Sequence, residues 1–181
     1  MKKISILTFL FFFVFYFAQI VDVKILKTSN DTINGKMKIF MSSDGDRVFI
    51  GEDGFYRRLR IVDENGKQLF SLKPNEIKKI SFKDLKNKET IYEKDPDKNQ
   101  LMKLVYDGKM KIYKQFIDMT HYLGIHFHYV QADGKPYKVG LFENDNKILT
   151  RITSTKPELK AKIDAIKNEE DIAMVMKEFE E

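Results

Sequence analysis

The sequence contains no cysteine among its 181 residues. Disulfide bonds, thiolate metal sites and a cysteine nucleophile are therefore excluded, and so is a lipid anchor attached to a cysteine directly after an export signal. Tryptophan is also absent, which makes a sugar-stacking cleft less expected, although tyrosine and phenylalanine can substitute for it. The folded chain must therefore rely on an apolar core without covalent cross-links.

The sequence motifs of common nucleophilic and phosphate chemistry are missing as well. The chain has no Gly-x-Ser-x-Gly, no His-Glu-x-x-His and no glycine-rich phosphate loop. A carboxylate pair for glycoside hydrolysis is not recognisable in one sequence, because its partners meet only in space. We therefore expect a protein that is not an enzyme.

The N-terminal segment, residues 1–19, is typical of an export signal. Lys2 and Lys3 provide a positive start, residues 4–17 form an uncharged run rich in phenylalanine and leucine, and Ala18 is a small residue near a cleavage point. The run is shorter than the ~20 apolar residues of a membrane-spanning helix. We predict a cleaved signal peptide, a periplasmic or secreted product and no transmembrane span in the mature chain; an uncleaved membrane anchor is the alternative.

Charge is unevenly distributed along the chain. The formal net charge is +5, yet residues 157–181 contain more acidic than basic side chains. The body of the chain is therefore basic and its C-terminal end acidic. Such a distribution suits an anionic partner surface, but it is more often a solvated surface whose two halves partly neutralise each other. Nucleic acid is not expected as a partner of an exported protein, and the aromatic residues do not interleave with the cations as base-stacking platforms do.

Residues 20–153 are predicted to form an antiparallel β domain, because short runs of alternating apolar and polar residues are separated by turn residues. The clearest example is the segment 101–142, where each of two alternating blocks is broken by Asp-Gly. The first block predicts a hairpin with a two-residue turn at Asp107-Gly108. In this register Tyr106 and Ile112 lie on different sides of the sheet. The second block predicts that one apolar set, Ile125, Phe127 and Tyr129, meets another, Tyr137, Val139 and Leu141.

The remaining segments complete the predicted fold. Residues 83–100 are rich in lysine, aspartate and asparagine and are predicted as a surface loop with one edge strand, and residues 148–153 are predicted as the last strand. The apolar period then changes from two to about 3.6, which predicts two short amphipathic helices within residues 154–181, packed on the β domain, with Asn168 as the second N-cap. The fold class is mainly β, an antiparallel sandwich or a partly open barrel with two C-terminal helices; the alternative is an α+β arrangement with one curved sheet covered by helices.

The three histidines of the chain, His121, His126 and His128, lie within eight residues. A His-x-His pair on a strand directs both rings to the same side, where they can share a Zn²⁺ or Cu²⁺ ion. The apolar residues beside them claim the core side of this strand, so His126 and His128 are expected to face solvent. No cofactor is the first expectation, and a metal-binding protein or metal-dependent hydrolase using these histidines is the alternative.

An arginine cluster provides a second candidate site. Arg58 and Arg60 share one side of an alternating segment, and with nearby lysines they can hold phosphate or an acidic polysaccharide. The simpler interpretation is a solvated side of the sheet.

Several motifs occur in a recognisable order along the chain. They are the N-terminal leader, a strand around residues 30–36, a Tyr-Asp-Gly-Lys-Met hairpin at 106–110 and a helix pair that begins with Pro-Glu-Leu-Lys at 157–160. In this order the chain resembles a group of small exported bacterial β-rich proteins of unestablished function. The resemblance implies export and a β domain with a closing helix pair, and it supplies no catalytic residues. We expect a non-enzymatic binding or structural protein whose partner is an envelope protein or an anionic envelope component.

Export makes a direct prediction about the N-terminus of the native protein. N-terminal sequencing of protein purified from its native compartment should begin near Gln19 or Ile20, because signal peptidase removes the leader after a small residue. Cytosolic protein that retains Met1 would contradict export, and membrane-bound protein that retains Met1 would identify the uncleaved anchor.

Overall fold

The computed structural model describes residues 18–44, 47–50, 58–84, 87–94, 100–119, 122–140 and 143–181. Of the predicted signal peptide, residues 1–17 lie outside the described residues. The strands are β1 (Ala18–Lys27), β2 (Thr32–Asp44), β3 (Arg47–Ile50), β4 (Leu59–Val62), β5 (Gln68–Leu72), β6 (Ile77–Lys83), β7 (Glu89–Lys94), β8 (Leu101–Asp107), β9 (Lys111–Met119) and β10 (Tyr122–Val130). The helices are α1 (Asp145–Ile152), α2 (Lys160–Asp164) and α3 (Glu169–Glu180), and single 3₁₀ turns lie at Pro74–Glu76 and Pro157–Leu159.

The strands form one open antiparallel sheet. Its order is β10-β9-β8-β7-β6-β1-β2-β4-β5, and β3 pairs with β2 beside this order. In the described part of the chain β10 and β5 are the two edges of this order, so the sheet is not closed into a barrel. The predicted mainly β, antiparallel fold with helices at the C-terminus is confirmed.

Alternation along the strands places their apolar residues on one side of the sheet. In β1, for example, Val21, Val23 and Ile25 are buried while Asp22 and Lys24 are exposed, because successive side chains of a strand point to opposite sides. Residues from β1, β2 and β4–β8 on this side pack into one core cluster. The cluster contains Val21, Val23, Ile25, Met37, Ile39, Leu59, Ile61, Leu72, Ile77, Ile80, Phe82, Tyr92 and Leu101.

The helices cover the same side of the sheet at its β8–β10 end. They contribute most of a second core cluster, to which the sheet adds Ile112 and Tyr129. Burial of each such aliphatic or aromatic side chain stabilises the fold by roughly 1.5–3 kcal/mol. The helical members are Ile148, Leu149, Leu159, Ile163, Ile172, Val175 and Met176.

Helix α1 corrects the prediction of a last strand at residues 148–153. The Asn144 side chain accepts a hydrogen bond from the Lys147 N–H at 3.0 Å, which caps the helix, and Asp145 follows in the first turn, where the helix dipole favours negative charge. Ile148 and Leu149 are buried on its inner side. The capping residues just before the apolar run therefore outweigh the β-branched residues within it.

Strand β7 corrects the prediction that residues 83–100 are mainly a surface loop with an edge strand. It lies inside the sheet, where it pairs with both β6 and β8. Thr90 and Tyr92 are buried on its core side, so two alternate residues suffice to place a strand whose other members are mostly charged. The segment 95–99 lies outside the described residues.

The first predicted hairpin, β8–β9, exists with a different register. A register shift between Leu104 and Tyr106 makes Tyr106 the cross-strand partner of Ile112. Cross-strand partners share one side of the sheet, so this tyrosine lies on the core side with Ile112 and not on the other side as predicted. Such a shift adds an unpaired residue to one strand and reverses the side of everything beyond it. Burial and the neighbouring Glu180 raise the pKa of Tyr106 to about 12.

The second predicted hairpin forms only at its start. Val130 makes a bridge with Pro136, and the Tyr137 N–H donates to the Tyr129 carbonyl at 2.7 Å. Beyond this point Arg151 donates to the Lys138 carbonyl at 2.6 Å, which draws the segment towards α1 and away from β10. Val139 is therefore exposed and not paired with β10, and Leu141 lies outside the described residues.

Helix α3 is attached to the sheet by a carboxylate at each end. At its N-terminus the partly buried Glu169 pairs with Lys103 at 2.5 Å and with Lys114 at 2.9 Å. At its C-terminus Glu180 accepts the backbone N–H groups of Lys109 at 2.9 Å and Met110 at 3.2 Å, in the β8–β9 turn. Burial by itself raises the pKa of Glu169, but the charges of the two lysines outweigh burial and hold that pKa below its ordinary value.

The Glu169 ion pairs should carry a measurable part of the stability. Replacing Glu169 by glutamine leaves two lysines, each about 15% exposed or less, without their carboxylate, and we expect the free energy of unfolding to fall by about 2–4 kcal/mol. Urea unfolding measures this loss. The matched control is Glu170→Gln, since Glu170 pairs with Lys88 in solvent, and such a pair contributes about 0–1 kcal/mol; equal losses in both variants would contradict the assignment.

The same comparison has a pH dependence. Because the pKa of Glu169 is lowered in the folded state, its contribution is complete above the ordinary value of 4.5 and disappears as the pH falls through the lowered pKa. The difference in unfolding free energy between the native protein and Glu169→Gln should therefore shrink below about pH 4.5.

Candidate functional site

The side of the sheet turned away from both core clusters carries a group of cations, which we call the basic face. Each of these residues is next to a buried core residue in its strand, so its side chain points to the opposite side. The basic face consists of Lys24 of β1, Lys36 and Lys38 of β2, Arg60 of β4, and Lys79 and Lys83 of β6.

Two members of the basic face have carboxylate partners. Lys36 pairs with Asp22 at 2.9 Å, and the hydrogen bond and charge of Asp22 raise the pKa of this lysine. Lys79 pairs with Glu93 at 3.3 Å. The other four members, Lys24, Lys38, Arg60 and Lys83, are exposed and form no ion pair within the described ranges of the chain.

The cations lie side by side on adjacent strands. Lys24 lies opposite Asn34 on β2 and Ser81 on β6, and together with Lys36 and Lys83 these residues line a shallow groove of about 610 Å³. Two acidic residues line the same groove, Asp22, which pairs with Lys36, and Glu89, which lies opposite Lys83 on β7. The three lysines of the groove therefore exceed its carboxylates by one charge.

The β4–β5 turn contacts the basic face at Lys38, where β2 pairs with β4. The register that pairs Lys36 with Val62 continues to place Lys38 beside Arg60, and a Cβ added at Gly66 would lie 2.7 Å from the Lys38 amine. Gly66 has φ of +77°, a conformation that glycine adopts without strain. A side chain at this position would strain the turn and displace the end of the Lys38 side chain.

The structure places one of the two predicted arginines on the basic face. Arg60 lies within β4, and Arg58 is exposed just before that strand. Sequence reasoning did not single out the lysines that surround Arg60. The sequence did predict that these lysines face away from the core, since each alternates with apolar residues. It did not predict which strands are neighbours, and the strand order is what brings the lysines together.

A second charged cluster occupies the same side of the sheet at β7–β9, and its charges are internally compensated. Glu93 accepts a hydrogen bond from the Tyr113 hydroxyl at 2.7 Å and pairs with Lys79 and with Lys111, the latter at 3.5 Å. Lys111 also pairs with Asp107 at 3.3 Å, so two carboxylates balance two lysines. Burial raises the pKa of Glu93, but the Tyr113 hydroxyl and the two lysines outweigh burial and hold it below its ordinary value. The unpaired positive charge is therefore concentrated towards β1, β2 and β4.

The candidate metal ligands are only partly described. His126 is exposed and His128 half-buried, and both lie on the side opposite the buried Tyr129, as predicted. His128 Nε2 lies 2.6 Å from the Oε1 of Gln115, a buried side chain that also hydrogen-bonds Gln100. His121 lies outside the described residues.

A metal ion at this pair would compete with the Gln115 contact for His128 Nε2. Within the described residues no group of three or more His, Asp or Glu side chains is arranged to hold a metal ion. The histidine site therefore remains a prediction in which a third ligand has yet to be placed.

No helix in the described part of the chain is long and apolar enough to cross a membrane.

Comparison with known proteins yields no relative: no protein-family model matches the chain, and neither a curated protein nor a solved structure shows significant similarity to it. The class that the fold defines is a mainly β protein with one open antiparallel sheet and C-terminal helices.

The histidine hypothesis can be tested by equilibrium dialysis with Zn²⁺ and with Cu²⁺. If His126 and His128 share an ion, His126→Ala and His128→Ala should each weaken binding about tenfold or more, because each removes one ligand. The control Gln131→Ala changes an exposed residue directly after β10 and should bind as the native protein does. Equal binding by all four proteins, or no binding by any, would remove the hypothesis.

Proposed function

We propose that the chain is an exported, non-enzymatic binding protein that attaches to an anionic component of the cell envelope through its basic face. The observation that carries this proposal is the group of four exposed cations, Lys24, Lys38, Arg60 and Lys83, which form no ion pair within the described residues. Exposed charges of one sign attract an anionic surface over roughly one Debye length, about 8–10 Å at physiological salt.

The arrangement of these cations favours an extended anion. Neighbouring strands are ~4.8 Å apart and alternate residues along a strand are ~7 Å apart, so the charges are distributed over an area and do not converge on one point. A lipid surface or an acidic polymer can contact several of them together, whereas one small phosphate reaches few. Each lysine or arginine near an anionic membrane contributes about 1 kcal/mol.

Export and the absence of catalysis are supported by the sequence. The leader at residues 1–19 has the composition of a signal peptide. Because β1 begins at Ala18, a chain that starts at Gln19 keeps all of β1 except its first residue. The histidine alternative has less support, because the Gln115 amide already occupies one nitrogen of His128.

The proposal predicts salt-sensitive binding to anionic vesicles. Protein recovered from cells that express the full-length gene should co-sediment with phosphatidylcholine vesicles that contain phosphatidylglycerol, and not with pure phosphatidylcholine. Substituting Lys24, Lys38 and Arg60 together by glutamine should weaken this binding about 100-fold, since three contributions of about 1 kcal/mol are lost. An acidic polysaccharide used as a competitor tests whether a polymer is bound in the same place.

The matched control substitutes Lys138, Lys147 and Lys167, three exposed lysines outside the sheet, by glutamine, and therefore has the same net charge. It should bind nearly as well as the native protein. If both triple variants lose the same affinity, binding follows net charge and the basic face has no special role; if neither anionic vesicles nor the polysaccharide bind, the proposal is wrong.

A further inference from the structure

The two edges of the sheet differ from its inner strands in composition. Edge strands usually carry charged residues, which prevent pairing with other molecules. Here β5 and β10, at the two ends of the strand order, contain no lysine, arginine, aspartate or glutamate. Each inner strand of the described sheet contains at least one, and so does β3, which pairs with β2 alone. The common protection against edge pairing is therefore absent at the two places where it is most needed.

The outer edge of β10 has open hydrogen-bonding groups. The Tyr129 carbonyl points outward, where it accepts the Tyr137 N–H, so Phe127 and Ile125, two and four residues earlier, present their N–H and C=O groups to the same side. Arg151 holds the segment after Tyr137 away from β10. In the described residues no backbone group hydrogen-bonds to this side of Ile125 or Phe127.

Apolar surface accompanies these open groups. Ile125 is 45% exposed, and Val139, on the diverging segment, is 48% exposed. A strand that paired with β10 would fill the space beside Ile125 and Phe127 that residues 138–140 leave open, and it would cover part of this apolar surface.

β10 is better suited to strand pairing than β5. β10 follows β9 over its full nine residues without a register shift, so its edge is regular. β5 has five residues and a register shift against β4 at Ile61/Val62, and such irregularities turn an edge away from pairing.

We propose that β10 pairs antiparallel with β10 of a second copy of this chain, so that the sheet continues across two molecules. Two uncharged strands meet without repulsion, and both are already ordered in their own sheets, so pairing costs less conformational entropy than capture of a flexible peptide. With Ile125 of one copy opposite Phe127 of the other, the two-fold axis passes at His126 and each such pair exchanges N–H and C=O groups. The pairing is limited to this stretch, because the outward carbonyl of Tyr129 already accepts the Tyr137 N–H.

This symmetry has a consequence for the basic face. The consequence rests on the function proposed above. Two identical strands that pair antiparallel in one sheet are related by a two-fold axis perpendicular to the sheet, so both copies turn the same side in the same direction where they meet. The dimer therefore carries two basic faces, one on each copy, and an anionic surface that contacts both is bound more tightly by avidity.

The association is tested by analytical ultracentrifugation of the native protein over a concentration series, together with single substitutions. The native protein should show a reversible monomer–dimer equilibrium, and Ile125→Lys should weaken dimerisation at least tenfold, because it places like charges next to the axis. Ile125→Pro, which removes an outward N–H without adding charge, should act in the same direction. Circular dichroism verifies that each variant is folded.

Two controls locate the contact. Met174→Lys changes an α3 residue that is 61% exposed, and Leu69→Lys changes a β5 residue of the same exposure; both should dimerise like the native protein. A native protein that remains monomeric at sub-millimolar concentration overturns the proposal, and so does a dimer that Leu69→Lys disrupts and Ile125→Lys does not.

Vesicle binding separates this proposal from the proposed function. Ile125→Pro retains the charge of the native protein and should bind anionic vesicles about tenfold less tightly or worse, because avidity is lost. The variant with Lys24, Lys38 and Arg60 changed to glutamine should remain dimeric. A dimer that forms while vesicles do not bind contradicts only the function, whereas vesicle binding by a strict monomer contradicts only the dimer.

Discussion

An open sheet with one apolar side must keep that side from water along its whole width, and this chain does so in two ways. The apolar residues of β1, β2 and β4–β8 pack into one cluster with each other, whereas at the β8–β10 end the helices cover the sheet. The two regions meet at Glu169, which pairs with lysines of β8 and β9 that point into the apolar side. Because a lysine there needs a carboxylate partner, the position of α3 on the sheet follows from electrostatics as well as from apolar packing.

The other side of the sheet therefore faces solvent. The charges on that side fall into two regions, one compensated and one with an excess of cations. Around Glu93 they form a compensated cluster of two carboxylates (Glu93 and Asp107), two lysines and the Tyr113 hydroxyl. Towards β1, β2 and β4 the cations outnumber the carboxylates. An attachment surface therefore arises without a pocket, since it needs only the regular alternation of strands and an excess of lysine and arginine on their outer side.

Part of this structure was predictable because its signals are local. The turn at Gly66 needs a positive φ that glycine adopts without strain, and Asn168 caps α3 through the Asp171 N–H at 3.0 Å. Tyr129 is buried where the alternation placed it, and Arg60 is exposed. Other predictions were wrong where two local signals competed: at α1 the cap at Asn144 outweighed strand-forming side chains.

The sequence by itself determined the alternation of the strands, the turns, the helix caps and the exclusion of cysteine chemistry, because each depends on residues close together in the chain. Only the tertiary structure decided the strand order and the grouping of Lys24, Lys38 and Arg60. It also decided the register shift that turns Tyr106 inward and the divergence of the segment after Tyr137. The physical reason is that these features depend on contacts between distant segments, and every such contact is chosen by how well the whole sheet buries its apolar side.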